Sequence, residues 1–230
     1  MTKDEVLTYL KRRGTKRNIE ALARYGIQTD RALGVTMGTL LALAKRLGKD
    51  HNLAAELWDS GWYEARLLAA LVDDPRLVTR RQMNAWAADF DNWAVCDTAV
   101  FHLFDRSPFA WEKVRQWSTS PREFVKRASF WMMTSLSVHD KAASHARFLA
   151  LLPLIEKGAR DERNFVKKAV SSALRTIGKR TPALHAASLK LAQRLSRSTD
   201  PGPRWVGKDA LRELARPMVR TRLAKPVRRS

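Results

Sequence analysis

The stretch DFDNWAVCDTAVFHLF, Asp89 to Phe104, puts a carboxylate in apolar company. At helical spacing Trp93, Asp97, Val100, Phe101 and Phe104 share a stripe, because residues three, four and seven apart lie on one side of a helix. Asp97 is therefore expected to point inward or into a cleft. Desolvating an ionised acid is costly unless it is paired, hydrogen-bonded or used, so Asp97 is a candidate reactive group. It is equally a candidate helix cap or a partner for an arginine such as Arg127. Other chemistries find no support. His51, His102, His139, His145 and His185 lack metal-ligand spacing, and no Gly-rich phosphate loop, nucleophile elbow or paired-cysteine motif occurs.

The elements that position Asp97 belong to a strongly basic chain. Its 230 residues carry 43 Lys and Arg against 23 Asp and Glu, a formal charge of +20. An excess on this scale points to a polyanionic partner, with nucleic acid the leading class. A membrane surface fits less well, since the charges are spread through helical segments and not gathered in one cluster. The single cysteine, Cys96, excludes an internal disulfide framework and a Cys-rich zinc site. That usage, with a start lacking the apolar core of a signal peptide, gives a cytoplasmic expectation, bacterial cytoplasm or nucleoid. The apolar run FLALLPLI is too short to span a bilayer and contains Pro153.

Nearly every segment reads as helix, with short breaks at GIQTD, DDPRL, DRSPF, SVHDK and TDPGP. In MGTLLALAKRLG, Leu40, Leu41, Leu43 and Leu47 form the expected apolar stripe. ELWDSGWYEARLLAALVDDP reads as a helix end, a turn at Gly61 and a second helix from near Trp62. EFVKRASFWMMTSL and NFVKKAVSSALRTI match one another, with Phe124 and Phe165 separated by 41 residues. That falls within the period of about 40–47 residues of HEAT and armadillo repeats. WYEARLLAAL aligns as a weaker third copy, setting Arg66 beside Arg127 and Lys168. The expected fold is all-α, a HEAT-like superhelix with a concave basic face, one domain over residues 1–226 followed by a frayed basic tail, 227–230. Matching positions line up along such a face, so Arg66, Arg127 and Lys168, with Lys167, form a candidate ladder for a phosphate backbone. Trp58, Trp86 and Trp131 are expected in the core.

GKDHNLAAELWDSGWYEARLLAALVDDP, DFDNWAVCD, EFVKRA, DERNFVKKAVSSALRTIGKR and RWVGKDALREL together resemble the AlkD-type DNA alkylation repair glycosylases, from about Gly34 to about Arg212. The resemblance implies a HEAT-like superhelix that binds duplex DNA and removes N3- or N7-alkylated purines by cutting the N-glycosidic bond. It implies no metal and no cofactor, a partner in double-stranded DNA carrying alkylated bases, no membrane partner and a monomer. Carried over by motif, the catalytic acid falls on Asp97, an aromatic wall on Trp93 and the phosphate-holding arginine on Arg127. An ionised Asp97 would then stabilise an oxocarbenium ion and orient or deprotonate water, while Trp93 offers its π face to the same charge.

Two positions depart from the family pattern. Ser172 stands where a tryptophan is usual, leaving one possible cleft wall without an aromatic ring, and Ala94 stands where an acid is common. Trp131 or Trp117 are alternative sources of that wall. The competing expectation is a non-catalytic HEAT-like module that binds structured or branched DNA. Either way, affinity for DNA is expected to fall steeply between about 50 and 200 mM salt, because each neutralised phosphate releases counterions. A fluorescence-anisotropy titration that shows no salt dependence would contradict a phosphate-binding surface.

Overall fold

The computed structural model describes residues 1–224, and among them every regular element is helical. The chain divides into two compact units, Met1–Ala110 and the residues from Trp111 onward, where the repeat pattern predicts one array. The predicted tail at 227–230 lies outside the described residues.

The N-terminal unit contains α1 (Lys3–Lys11), α2 (Lys16–Arg24), α3 (Met37–Leu47), α4 (His51–Asp59), α5 (Tyr63–Val72), α6 (Arg80–Ala88) and α7 (Trp93–His102), closed by a 3₁₀ turn at Phe104–Arg106. Side-chain oxygens of Thr2, Thr15, Thr36, Asp50, Thr79 and Asn92 accept from backbone amides of the first turns they precede, which sets where these helices start. The α4–α5 hairpin turns at Gly61 with φ +71°, as the sequence predicts. In α3 the expected stripe holds for the buried Leu40 and Leu43, but Leu41 faces outward, 45 % exposed. The core stacks Trp58 on Trp86, ring centroids 4.0 Å apart and planes 4° from parallel, with Phe90 and Phe104 at their edges.

One carboxylate fixes the entry to α3. Glu64 is fully buried on α5 and accepts three backbone amides, Leu33 at 2.8 Å, Gly34 at 2.6 Å and Val35 at 3.1 Å. Hydrogen bonds to a charged acceptor are about twice as strong as neutral ones, and here they replace the water the carboxylate gave up. Gly34 is required at this point, because its φ is +77° and a Cβ would sit 2.2 Å from the Thr15 carbonyl oxygen.

The second unit contains α8 (Ala110–Trp117, whose first residue closes the preceding unit), α9 (Glu123–His139), α10 (His145–Leu149), α11 (Leu152–Gly158), α12 (Asn164–Ile177), α13 (Pro182–Ser196), α14 (Pro201–Leu214) and α15 (Pro217–Ala224). Residues 38 apart in sequence touch repeatedly: Thr134 with Ser172, Ser171 with Asp209, Arg175 with Glu213, Glu156 with Arg194. A constant offset is the mark of parallel neighbours, since antiparallel helices would give a constant sum. Helices α9, α12 and α14 therefore run parallel as equivalent members of successive repeats, and α11 is joined to α13 by Glu156 and Arg194. Phe124 and Phe165, matched by sequence, are in ring contact at 5.4 Å. The third copy within this stack is α14, the segment PGPRWVGKDALREL, while the WYEARLLAAL segment lies in the N-terminal unit as α5.

Replacing Glu64 with Ala leaves three buried amides without an acceptor. The expected loss is about 3–5 kcal/mol in the unfolding free energy of the unit, read from the shift in urea midpoint. Amide exchange at residues 33–35 is expected to accelerate in the same variant.

Candidate functional site

Helix α7 is apolar nearly all round, so its own pattern does not say which side is open. Ala94, Val95, Cys96, Thr98, Ala99 and Val100 are buried, whereas Trp93, Asp97 and Phe101, each four residues apart, are half-exposed. The predicted stripe thus divides: Val100 and Phe104 enter the core, and the line carrying Asp97 is the open one. Of the two expected placements, inward or into a cleft, Asp97 takes the accessible one. Asp97 is oriented into the accessible side because the small residues around it take up the packing against α5.

The aromatic wall is held in place. The Trp93 indole N–H donates to the Tyr25 carbonyl at 3.1 Å, so the ring is tied to the C-terminal end of α2. Tyr25 itself is 65 % exposed and precedes Gly26, whose φ of 71° turns the chain away. The N-terminus of α7 is fixed by Asn92, which accepts from the Val95 amide at 3.0 Å and donates to Asp91 at 2.7 Å. A cleft of about 150 Å³ opens beside it, lined by Gln28, Arg31, Tyr63, Arg66 and Asn92 among others. Burial and the neighbouring Glu64 push the Tyr63 hydroxyl up to about 12, so it remains a neutral donor at any physiological pH.

Arg66, predicted as a rung of a phosphate ladder, is engaged within its own unit. Its guanidinium lies 3.8 Å from Asp89 and 4.0 Å from Asp91, and stands over the Trp58 ring at 5.4 Å. Asp89 also accepts the Trp58 indole N–H at 2.8 Å. Composition alone could not reveal these ties, in which the two acids lie more than twenty positions from the groups they hold.

In the C-terminal unit the predicted residues fall into two groups. Arg127 is only 6 % exposed, donates to the Phe165 carbonyl at 2.7 Å and lies over the Trp131 ring at 5.5 Å. It joins α9 to α12. Lys168 is fully on the surface, and the Lys167 ammonium stands 5.0 Å from the centroid of Trp205. Ser172 is half-buried, its hydroxyl 3.4 Å from that of Thr134. Trp131 lies one turn before Thr134 and is partly open, with its indole nitrogen buried and lacking a hydrogen-bond partner. Trp131 is thus partly open, and not the core residue the sequence suggests, whereas Trp117 is packed at 4 % exposure. Tyr25 and Trp205 were not singled out by sequence. Their exposure depends on tertiary neighbours, and only an aromatic residue next to a turn or a proline pair hints at it.

Among the described residues no group of three or more His, Cys, Asp or Glu is placed to hold a metal ion, and no helix is long and apolar enough to cross a membrane.

Among the described residues the fold is all-helical and HEAT-like. The sequence profile of the DNA alkylation repair enzyme family matches residues 6–214, and the chain belongs to that family. A solved structure described as belonging to "a new family of proteins related to the HEAT-like repeat DNA glycosylases with affinity for branched DNA structures" is similar over 100 % of this chain and 99 % of that one, at 19 % identity and a TM-score of 0.79. That likeness establishes the fold. No curated protein sequence matches the chain.

The two groups of cations are expected to behave differently on mutation. Arg127→Met removes a buried charged hydrogen bond and is expected to cost about 1.5–3 kcal/mol of stability. Lys168→Ala is expected to leave stability within about 0.5 kcal/mol while weakening DNA binding. Urea melts and anisotropy titrations on both variants check this.

Proposed function

We propose that the protein is a DNA glycosylase that excises N3- or N7-alkylated purines from duplex DNA. The observation that carries this reading is Asp97 on the open line of α7, one turn from a tryptophan whose ring is fixed by its bond to Tyr25. An alkylated purine is cationic and leaves readily. As the C1′–N bond breaks, its electron pair neutralises the departing base and positive charge develops on the deoxyribose. An ionised Asp97 stabilises that oxocarbenium ion, and Trp93 presents its π face to the same cation. Water then adds at C1′ and its proton passes to the Asp97 carboxylate, leaving an abasic site and a free alkylpurine. Asp97 and Trp93 are the proposed catalytic residues. Lys167 and Lys168 are proposed to hold phosphates, with Arg66 and Arg127 shaping the elements beside them. The protein is proposed to act as a monomer.

A second reading has specific support. Ser172 offers no aromatic face, Arg127 is engaged inside its unit, and the similar solved structure comes from a family described by its affinity for branched DNA. These favour a module that binds structured DNA without cutting the glycosidic bond.

Asp97→Asn separates the two. The substitution keeps the shape and removes the charge, so single-turnover release of 7-methylguanine or 3-methyladenine is expected to fall about 10²–10³-fold. Affinity for the DNA is expected to hold or rise slightly, because the acid repels phosphates in the ground state. Equal excision rates in wild type and variant, with unchanged thermal melts, would remove Asp97 from the reaction. Absence of excision by the wild type would leave the binding module.

A further inference from the structure

In the C-terminal unit several carboxylates are committed to particular cations. Asp161 holds Lys126 at 2.8 Å and Arg163 at 2.6 Å, and Glu213 holds Arg175 and Lys179, both at 2.5 Å. Burial pushes the Asp161 carboxyl up, but the hydrogen bonds from Arg163 and Lys126 outweigh it and keep the group well below the usual carboxylate range. Asp209 lies 3.7 Å from Arg175 and from Arg212 and accepts from Ser171, while Glu156 takes Arg194. Lys167, Lys168, Arg204 and Lys208 make no ion pair among the described residues. All four cluster on or next to one side chain, Trp205. Arg204 precedes it, Lys208 follows within one turn, Lys167 stands 5.0 Å from its ring, and Lys168 is the exposed neighbour of Lys167.

Trp205 is 36 % exposed, and its indole N–H donates no hydrogen bond to any described residue. Its backbone is rigid: α14 opens with Pro201, Gly202 and Pro203, and a Cβ on Gly202 would meet the Ala159 carbonyl oxygen at 2.8 Å. One turn further on, Ser171 donates to Asp209 at 2.6 Å and locks α12 to α14. The N-termini of α9, α12 and α14 lie at the same edge of the parallel stack, and none has a side-chain cap. The positive ends of three helix dipoles therefore face one side. A cation near such an end opposes helix stability, which asks for acids there, so Lys167 and Arg204 are not explained by the fold. An open indole beside basic groups that make no ion pair is the chemistry that binds single-stranded nucleic acid.

We propose that Trp205 is the platform of a subsite for an unpaired DNA nucleotide. The base stacks on the open part of the indole, and the adjoining phosphates lie against Lys167, Lys168 and Lys208. The occupant is an unpaired segment at a branch or strand end. This inference rests on the reading of the protein as a DNA binder and adds the DNA feature it selects.

The test measures anisotropy of the full chain with labelled blunt duplex, forked duplex with unpaired arms, and single strand of equal length. Trp205→Ala is expected to weaken the fork and the single strand roughly 5- to 100-fold and leave the blunt duplex unchanged. Trp205→Phe, which keeps a stacking face, is expected to restore most of the loss. Lys167→Ala with Lys168→Ala and Lys208→Ala is expected to flatten the salt dependence on the fork. Equal weakening of all three DNAs by Trp205→Ala, or weakening of none, overturns the subsite while the DNA reading stands. A wild type that binds none of the three overturns both.

Discussion

With 43 cations and 23 carboxylates in one chain, where the acids go decides what the rest of the molecule can be. A buried carboxylate must be satisfied by several donors, and the structure gives several donors both to its buried acids and to more open ones. Glu64 collects three amides, Asp73 takes His51 and Gln82, Asp89 takes Trp58 and faces Arg66, and Asp140 takes Trp111 and the Ala143 amide. Most of these bonds join residues more than twenty positions apart, while the Ala143 amide is a local partner. The acids act mainly as internal ties, and the positive field outside comes from the cations left over.

This arrangement separates two kinds of basic residue that composition cannot tell apart. Arg127 and Arg66 are held by carbonyls, acids and rings, and their guanidinium groups help define where helices sit. Lys167, Lys168, Arg204 and Lys208 make no ion pair among the described residues, Lys167 standing over the Trp205 ring, and are available to a polyanion. Guanidinium suits the first task because its planar fork meets several acceptors at once, while a lysine ammonium remains hydrated at the end of a flexible stem.

Much of the architecture was legible because it follows local rules. The Gly61 turn, the helical breaks and the match between Phe124 and Phe165 rest on backbone freedom and periodicity, and the structure contains each of them. What was illegible depended on tertiary choice. In α7 apolar residues occur on every side, so period alone assigns no inside, and the open line had to come from the packing of Ala94, Val95 and Ala99. Leu41 read as core because Leu40 and Leu43 do. The alignment of Arg66 with Arg127 placed α5 in the repeat series, whereas the stack that contains α9 and α12 is completed by α14. Trp131 and Trp205 resemble core residues in sequence, since nothing local to a tryptophan announces which face its neighbours leave uncovered.

The grip of Glu64 on residues 33–35 has an evolutionary side. It holds main chain and not side chains, so Leu33 and Val35 can drift among residues of suitable size without altering the bonds that place α3. Glu64 and Gly34 have no such latitude: one supplies both oxygens, and the other fits where a methyl group would strike Thr15. Variation among descendants of this chain is therefore expected to be uneven at this junction, with two positions frozen and their immediate neighbours free to diversify.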